Sequence, residues 1–366
     1  MGIEKQEKET LFSSLSDSIS EEAKLEKDFV DVLKMVAPGT SLRIALNDLL
    51  RAKMGALIVF DNGKLSSIVE GGFKINVKFS SQKLVELCKM DGGIVLSSDG
   101  KEILFANALL VPDSSIYTKE TGTRHKAAER TAKQANTVVL AVSERKNKIS
   151  VFCGEIYSQL ERSSEILRKT SETLQILEKQ RDFFNELLDN LNSLELQKNS
   201  NMNDVCLVLQ RAEIMKRIAK TVERSLIELG RDGVIVRMRL KELMGNLKKE
   251  ENLILRDYFG SSYEGSVEIL KNMDFDFLLE PMNVLRMLFE ELHDKPISPK
   301  GIRLLKKTNI LERYGDLLVG NFKNLKKILS ATNKQLLEVL ESEAMVAFFR
   351  EEIYNLKEKI SLGRRI

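Results

Sequence analysis

From Ile156 onward, apolar residues recur at steps of four and three. Positions 156, 160, 163, 167, 170, 174, 177, 181, 184, 188 and 191 hold Ile, Leu, Ser, Leu, Thr, Leu, Leu, Arg, Phe, Leu and Leu. A stripe with that period stays on one side of an α-helix, so the segment predicts a long helix with a seam along it. Ser163, Thr170 and Arg181 interrupt the seam. It must be covered by another helix, in the same chain or across an oligomer, and an ordinary helical bundle meets that need equally well. Stretches 205–229 and 236–259 read as further helices, and 156–295 as a whole has almost no strand signal.

What precedes the seam follows a different period. GALIVF (55–60), GGIVLSS (92–98), EILFANALL (102–110), TVVLAVS (137–143) and KISVFCG (148–154) are short β-type runs bounded by Gly, Asn, Asp or Ser. Helical patterns stand before and between them. One ends at Pro38–Gly39, one begins near Ser41 as a plausible N-cap, and others cover 80–90 and 121–135. Apolar strands interleaved with helices argue for an α/β sheet domain. Past Pro296 the chain reads as short helices with tight connections. The expected organisation is therefore an arm over 1–27, a sheet domain over 28–155, a helical region over 156–295 and a small helical domain over 296–366.

Composition excludes some functions. No apolar run approaches the roughly 18 residues of a membrane span. Three cysteines without metal or redox spacing, Cys88, Cys153 and Cys206, fit a reducing cytoplasm and read as small buried hydrophobes. Two histidines and no CxxC leave little room for a zinc site. The net charge is only +3, but between Lys295 and Lys334 ten Lys and Arg face two acids. That local excess fits either a polyanion partner or a solvated helix face.

Two stretches carry chemistry. In ETGTRHKAAER, Thr121 and Thr123 stand where they would cap a helix beginning near Arg124. Its first turn offers free N–H groups and the positive end of the helix dipole. With Arg124, His125 and Lys126 it reads as a phosphate site or, in isolation, as a basic turn facing solvent. In KMDGGIVLSSDG, Asp91 precedes a buried strand, and Gly92 and Gly93 allow close approach of a ligand. A carboxylate there suits Mg²⁺ or Mn²⁺, or the orientation of a ribose hydroxyl, although Asp-Gly is also a common turn.

Several ordered stretches together resemble one family, the DNA-integrity-scanning diadenylate cyclases known as DisA. They are MVAPGTSLRIALNDLLRAKMGALIVF, GGFKINVKFSSQKLVELCKMDGGIVLSSDG, ANALLVPDSSIYTKETGTRHKAAER and AVSERKN, then LQRAEIMKRIAKTVERSLIELGRDG, LILRDYF and KGIRLLKKTNIL. The resemblance implies an α/β cyclase domain with a mixed sheet flanked by helices. An all-α helical spine and a helix-hairpin-helix-like C-terminal domain would follow. It implies joining two ATP into cyclic di-AMP with release of two pyrophosphates, using Mg²⁺ or Mn²⁺, at sites facing each other across subunits of a homo-octamer. It also implies branched DNA as a regulatory partner.

The resemblance places catalytic roles on Asp91, Arg124 and His125, with Asp91 as metal ligand. It places ATP binding on Gly92, Gly93, Leu110, Thr123, Lys126, Ser143 and Arg145. Within the basic stretch, Arg303, Lys306, Lys307, Lys323, Lys326 and Lys327 are the candidate DNA contacts.

The chain departs from the family pattern. Gly93 replaces an alanine, Lys126 an arginine, and Ala127 a threonine whose hydroxyl would reach a phosphate. The family's Gly-Ile-Gly hairpin turn falls on Glu341-Ser342-Glu343, where carboxylates repel phosphate and side chains resist positive φ. Weak branched-DNA binding is therefore expected. A catalytically impaired ATP- or DNA-binding assembly protein, or a nucleotide sensor without turnover, is the competing expectation.

Overall fold

The computed structural model describes residues 29–260, 263–289 and 298–362. The expected arm over 1–27 and the expected boundary at 295–296 lie outside them. The described residues form two compact units. One takes the chain up to Thr170 together with Glu223–Val236, and the other takes Ser171–Val222 with the chain from Arg237.

The first unit is built on an eight-stranded mixed sheet. Its elements are α1 (Ser41–Arg51), β1 (Ala56–Phe60), β2 (Val69–Glu70), β3 (Phe73–Lys78), α2 (Ser81–Leu87), β4 (Gly93–Leu96), β5 (Glu102–Leu110), α3 (Thr123–Ala135), β6 (Val138–Ser143), β7 (Lys148–Cys153) and β8 (Ile156–Leu160). The order is β2-β5-β4-β1-β6-β7-β8, with β3 also pairing β5. Among the described residues only β1 and β4 run parallel; the other pairings are antiparallel.

Alternation along β1 explains the layers. Ala56, Ile58 and Phe60 face a core shared with Leu42, Ala45, Leu46 and Leu49 of α1 and Leu84 of α2. Leu57 and Val59 face the opposite core, where Ala128, Ala132 and Ala135 of α3 meet Val139, Ala141 and Phe152. The α3 alanines recur at steps of four and three, so their small side chains let the helix lie close on the sheet.

Local details differ from the sequence reading. Thr40, not Ser41, caps α1, its hydroxyl accepting from the Arg43 N–H at 3.1 Å. The first two seam positions, Ile156 and Leu160, are the ends of β8, so the sheet continues beyond 155. β7 recruits this segment by pairing with it from Ile149↔Leu160 to Cys153↔Ile156. The turn at Gly230–Gly233 also belongs to the first unit. Arg231 N donates to Pro38 O at 3.2 Å, and a Cβ on Gly230 would meet Pro38 O at 2.7 Å. These contacts cut across the linear boundary that the sequence predicts.

The helical part comprises α4 (Ser163–Leu196), α5 (Met202–Leu229), α6 (Val234–Leu243), α7 (Leu247–Phe259), α8 (Tyr263–Asn272), α9 (Phe275–Leu279) and α10 (Pro281–Leu288). On α4 the seam holds from Thr170 onward: Leu174, Leu177, Phe184, Leu188 and Leu191 are buried. The stretch 236–259 is two helices rather than one, because Asn246 takes φ 62° between α6 and α7. The C-terminal segment carries α11 (Ile302–Leu305), α12 (Glu312–Phe322), α13 (Leu325–Ser330), α14 (Asn333–Leu340) and α15 (Glu343–Ser361) around a core that includes Leu318, Leu336, Phe349 and Ile353. Among the described residues no helix is long and apolar enough to cross a membrane.

Candidate active site

At one end of the sheet, separate stretches of sequence surround a cavity of about 750 Å³. Leu57 comes from β1, Gly92 and Gly93 from the entry of β4, and Ala108, Leu109 and Leu110 from the end of β5. Gly122, Thr123, Arg124, His125 and Ala127 come from the start of α3, and Ser143, Glu144 and Arg145 from the end of β6 and its turn. The volume lies in the range of small-molecule sites. One side is an apolar wall of leucines; the other is cationic.

The start of α3 differs from its expected capping. Its N-cap is Gly122 and no side chain bonds there, so neither Thr121 nor Thr123 fills the first-turn donors. Those N–H groups have no intrahelical partner and carry the positive end of the dipole. The helix is fastened from behind. Glu129 accepts from the Thr118 hydroxyl at 2.5 Å and the Lys119 N–H at 3.2 Å, and pairs with Lys133 at 3.0 Å. Burial works to raise the Glu129 carboxyl, but these bonds and the Lys133 charge hold it below its usual value. Arg130 and Gln134 bind the same loop, through Ile116 O at 2.9 Å and the Asp113 N–H at 2.8 Å. The segment leading into the cavity is thus tied to the helix it caps.

Two glycines make room at the site. A Cβ on Gly92, at φ 92°, would stand 2.9 Å from Asn107 C and 3.0 Å from Ala108 O, where Asn107 bulges out of β5. A Cβ on Gly55 would stand 2.8 Å from Arg124 Cζ, so the guanidinium rests against the bare backbone before β1. Arg124 also makes itself felt at Cys88. Burial pushes that thiol up to about 12, with the Arg124 charge pulling the other way.

His125 is the least cationic of the three basic residues. Burial pushes its imidazole below the usual value; Glu120 opposes this, and Lys146 and Arg124 reinforce it. It is therefore a neutral donor and acceptor near pH 7 rather than a third cation.

The cavity brings together Gly92, Gly93, Leu110, Thr123, Arg124, His125, Ser143 and Arg145 of the expected residues. Asp91 and Lys126 are not among those lining it; Asp91 is exposed immediately before Gly92, and Lys126 is half-buried on the first turn of α3. Sequence reasoning missed Glu144, the one carboxylate in the lining, although it sits inside the SER stretch already singled out. It missed Leu57 too, because an all-apolar strand gives no sign of which end faces a cavity.

The candidate DNA contacts separate into two groups. Arg303 is wholly buried, paired with Glu195 at 2.6 Å and bonded to Asn192, so it is corrected from surface contact to internal ion. Lys307 is corrected likewise: its side chain is 7% exposed and 3.4 Å from Glu250. Asp257 completes this buried cluster, accepting from the N–H groups of Ile302 at 2.7 Å and Arg303 at 2.9 Å. Burial lifts its carboxyl to about 6. Lys306 pairs with Glu312 at 2.7 Å, while Lys323, Lys326 and Lys327 are exposed. The turn between α14 and α15, where the resemblance expects glycines, forms without them, with Glu341 itself at φ 54° and the Ser342 hydroxyl capping α15.

A nucleotide-sized cavity with an uncapped helix start, two arginines and an apolar wall, on a mixed sheet followed by long helices, defines a nucleotide-binding enzyme domain carried on a helical partner. Comparison with known proteins gives the particular family. Residues 43–156 match the DisA bacterial checkpoint controller nucleotide-binding model, and residues 160–291 match the DisA bacterial checkpoint controller linker region. The DNA integrity scanning protein DisA of Clostridioides difficile is 40% identical over 353 residues, 93% of this chain and 98% of that protein. The DisA of Acetivibrio thermocellus is 40% identical over 356 residues, again 93% of this chain and 98% of that protein. A solved structure of a double mutant of DacA from Staphylococcus aureus shows 25% identity with a TM-score of 0.28, covering 38% of this chain and 88% of that one. The chain belongs to the DisA family. Its first domain is a diadenylate cyclase domain, and the activity is that of a nucleotidyltransferase.

Proposed function

We propose that each cavity holds one ATP and that two cavities, facing each other across subunits, condense two ATP into cyclic di-AMP with release of two pyrophosphates. One observation carries this reading: motif residues 92–93, 110, 123–125, 127 and 143–145 line a single cavity. Leu57, Leu109 and Leu110 supply an apolar surface for a base. The open N–H groups of α3, with Arg124 and Arg145, face the triphosphate.

In the reaction, the 3′-hydroxyl oxygen of one ATP attacks the α-phosphorus of the other, the hydroxyl proton passes to solvent and the bond to pyrophosphate breaks; the reciprocal attack closes the ring and releases the second pyrophosphate. Arg124 and the α3 start neutralise the charge that builds on the leaving group. His125, whose imidazole burial holds below its usual value, offers a ring N–H to phosphate. Asp91, exposed immediately before Gly92, is assigned to orient the attacking hydroxyl.

The donor set suits a divalent cation of the Mg²⁺ or Mn²⁺ kind. Asp91 and Glu144 offer carboxylate oxygens, and no group of three or more His, Cys, Asp or Glu forms a ready-made cage among the described residues. Mg²⁺ is commonly held by one or two carboxylates with substrate phosphates completing its shell, and it supplies charge neutralisation at the phosphates. Asp91 and Glu144 would hold it.

Purified full-length protein incubated with ATP and Mn²⁺ or Mg²⁺, with nucleotides resolved by chromatography and mass, tests the proposal. Cyclic di-AMP should appear, and Asp91→Asn should erase it while ATP binding and oligomer size persist. No product from folded wild type that binds ATP would favour an impaired scaffold. Ala127 supports that second reading, since it presents a methyl to the cavity where the family pattern has a hydroxyl. Assembly as a homo-octamer, a cytoplasmic location and inhibition by branched DNA belong to the same proposal. Gel filtration with light scattering, and cyclase assays with added junctions, test the assembly and the inhibition.

A further inference from the structure

Helix α7 separates its charges by face. Its acids turn inward: Glu251 is 4% exposed, and its carboxylate meets Lys216 at 2.8 Å. Glu250 lies 3.4 Å from Lys307. Glu242, near the end of α6, is exposed and pairs with Arg239 at 2.8 Å. The bases turn outward. Lys248, Lys249 and Arg256, with Lys306 from just after α11, line a groove of about 540 Å³, together with Met244, Asn246, Asn252 and Leu253. Among the described residues no carboxylate lines it, although Glu312 partly offsets Lys306.

The spacing within the groove is regular. Lys248, Asn252 and Arg256 follow at steps of four, so they share one stripe of the helix. At 1.5 Å per residue the stripe spans about 12 Å, long enough for successive phosphates rather than one. A free phosphate needs a compact cup; a row of cations and an amide along a helix matches an extended polyanion. The hairpin turn offers the opposite surface, with Glu341 and Glu343 beside the α15 start.

We infer that this α7 groove is a nucleic-acid backbone site, and that duplex DNA is held by it rather than by the hairpin turn alone. Among the described residues Lys248 has no carboxylate beside it in the groove, while Lys249 also borders the neighbouring pocket that Glu312 and Asp316 line. The site reads no sequence, because it touches phosphates and not base edges.

The test is a salt titration of full-length protein binding a fluorescently labelled duplex, without ATP, so that it stands whatever the cyclase assay shows. Each phosphate contact contributes about 0.9 to the slope of log affinity against log salt. The pair Lys248→Gln with Lys249→Gln should lower that slope by about 2. The control pair Lys326→Gln with Lys327→Gln should lower it less. Both lysines of the first pair are exposed, and a thermal melt confirms that the variant is folded. An unchanged slope overturns the inference, as does a wild type with no salt-dependent DNA binding. Pyrophosphate or ATP binding that the variant loses while DNA binding stays intact would overturn it in favour of a small-anion site.

Discussion

Two helix starts in this chain occupy positions where the family pattern puts phosphate, and they are built in opposite ways. At α3 the cap is Gly122, no side chain fills the first-turn donors, and Arg124 reaches the cavity. At α15 the cap is Ser342, whose hydroxyl already accepts from the Met345 N–H at 3.4 Å, and Glu343 begins the helix. The first leaves its donors and positive charge for a ligand. The second spends a donor on its own side chain and neutralises the dipole with a carboxylate. A helix start can receive an anion only where the chain leaves its first-turn donors unfilled.

The largest test of this contrast removes the charge at the open start. Arg124→Ala should lower kcat/KM for cyclic di-AMP formation by about 10²–10³, as losing a donor to developing charge does elsewhere. ATP affinity, read by calorimetry, should fall less. A change under tenfold in kcat/KM would place the phosphates elsewhere.

Ala127→Thr, alone and with Lys126→Arg, tests whether the open start is one hydroxyl short. A restored hydrogen bond to a charged phosphate is worth about 1.5–3 kcal/mol, roughly 10- to 150-fold in kcat/KM. Ala127 lines the cavity and Lys126 does not, so the threonine should carry most of the gain.

Gly55→Ala probes how the guanidinium is seated. The clash falls on the flexible end of Arg124, so the melting temperature should hold while ATP binding weakens. The effect should vanish in the Arg124→Ala background, a coupling of about 0.5–3 kcal/mol. Equal losses in both backgrounds would mean that Gly55 matters for the strand and not for Arg124.

At the closed start, Glu341→Gly with Glu343→Gly should raise branched-DNA affinity about tenfold, at about 0.3–1 kcal/mol for each carboxylate removed. Relief of positive φ at residue 341 should add about 1 kcal/mol of stability. The smallest effect is expected at Gly93→Ala. The new Cβ would meet Ala108 O at 3.4 Å and Leu57 O at 3.5 Å, ordinary contacts, so stability should rise by about 0.4–1 kcal/mol with turnover kept.

Much of this molecule is legible in its residue order. The short apolar runs at 56–60 and 102–110, bounded by turn residues, and the four-three seam beyond Thr170 name their elements, because strand runs are brief while a helix seam repeats every three to four residues. The ordered motifs around Asp91 and Arg124 point to a nucleotide. The two-residue β2 is too short to show any period. FKINVK, absent from the strands expected above, does alternate apolar and polar residues, and as β3 it pairs with β5.

Folding settles what residue order leaves open. Arg303 and Lys326 stand in one basic run, yet one is wholly buried against Glu195 and the other faces solvent. Glu144 becomes a cavity residue, and Leu57 its wall, through strand pairing with partners far along the chain. Burial and ion pairing depend on which distant surfaces meet, and a local pattern carries no record of that. Periodicity reports the near neighbours of each residue; the sites of this protein are made by its far ones.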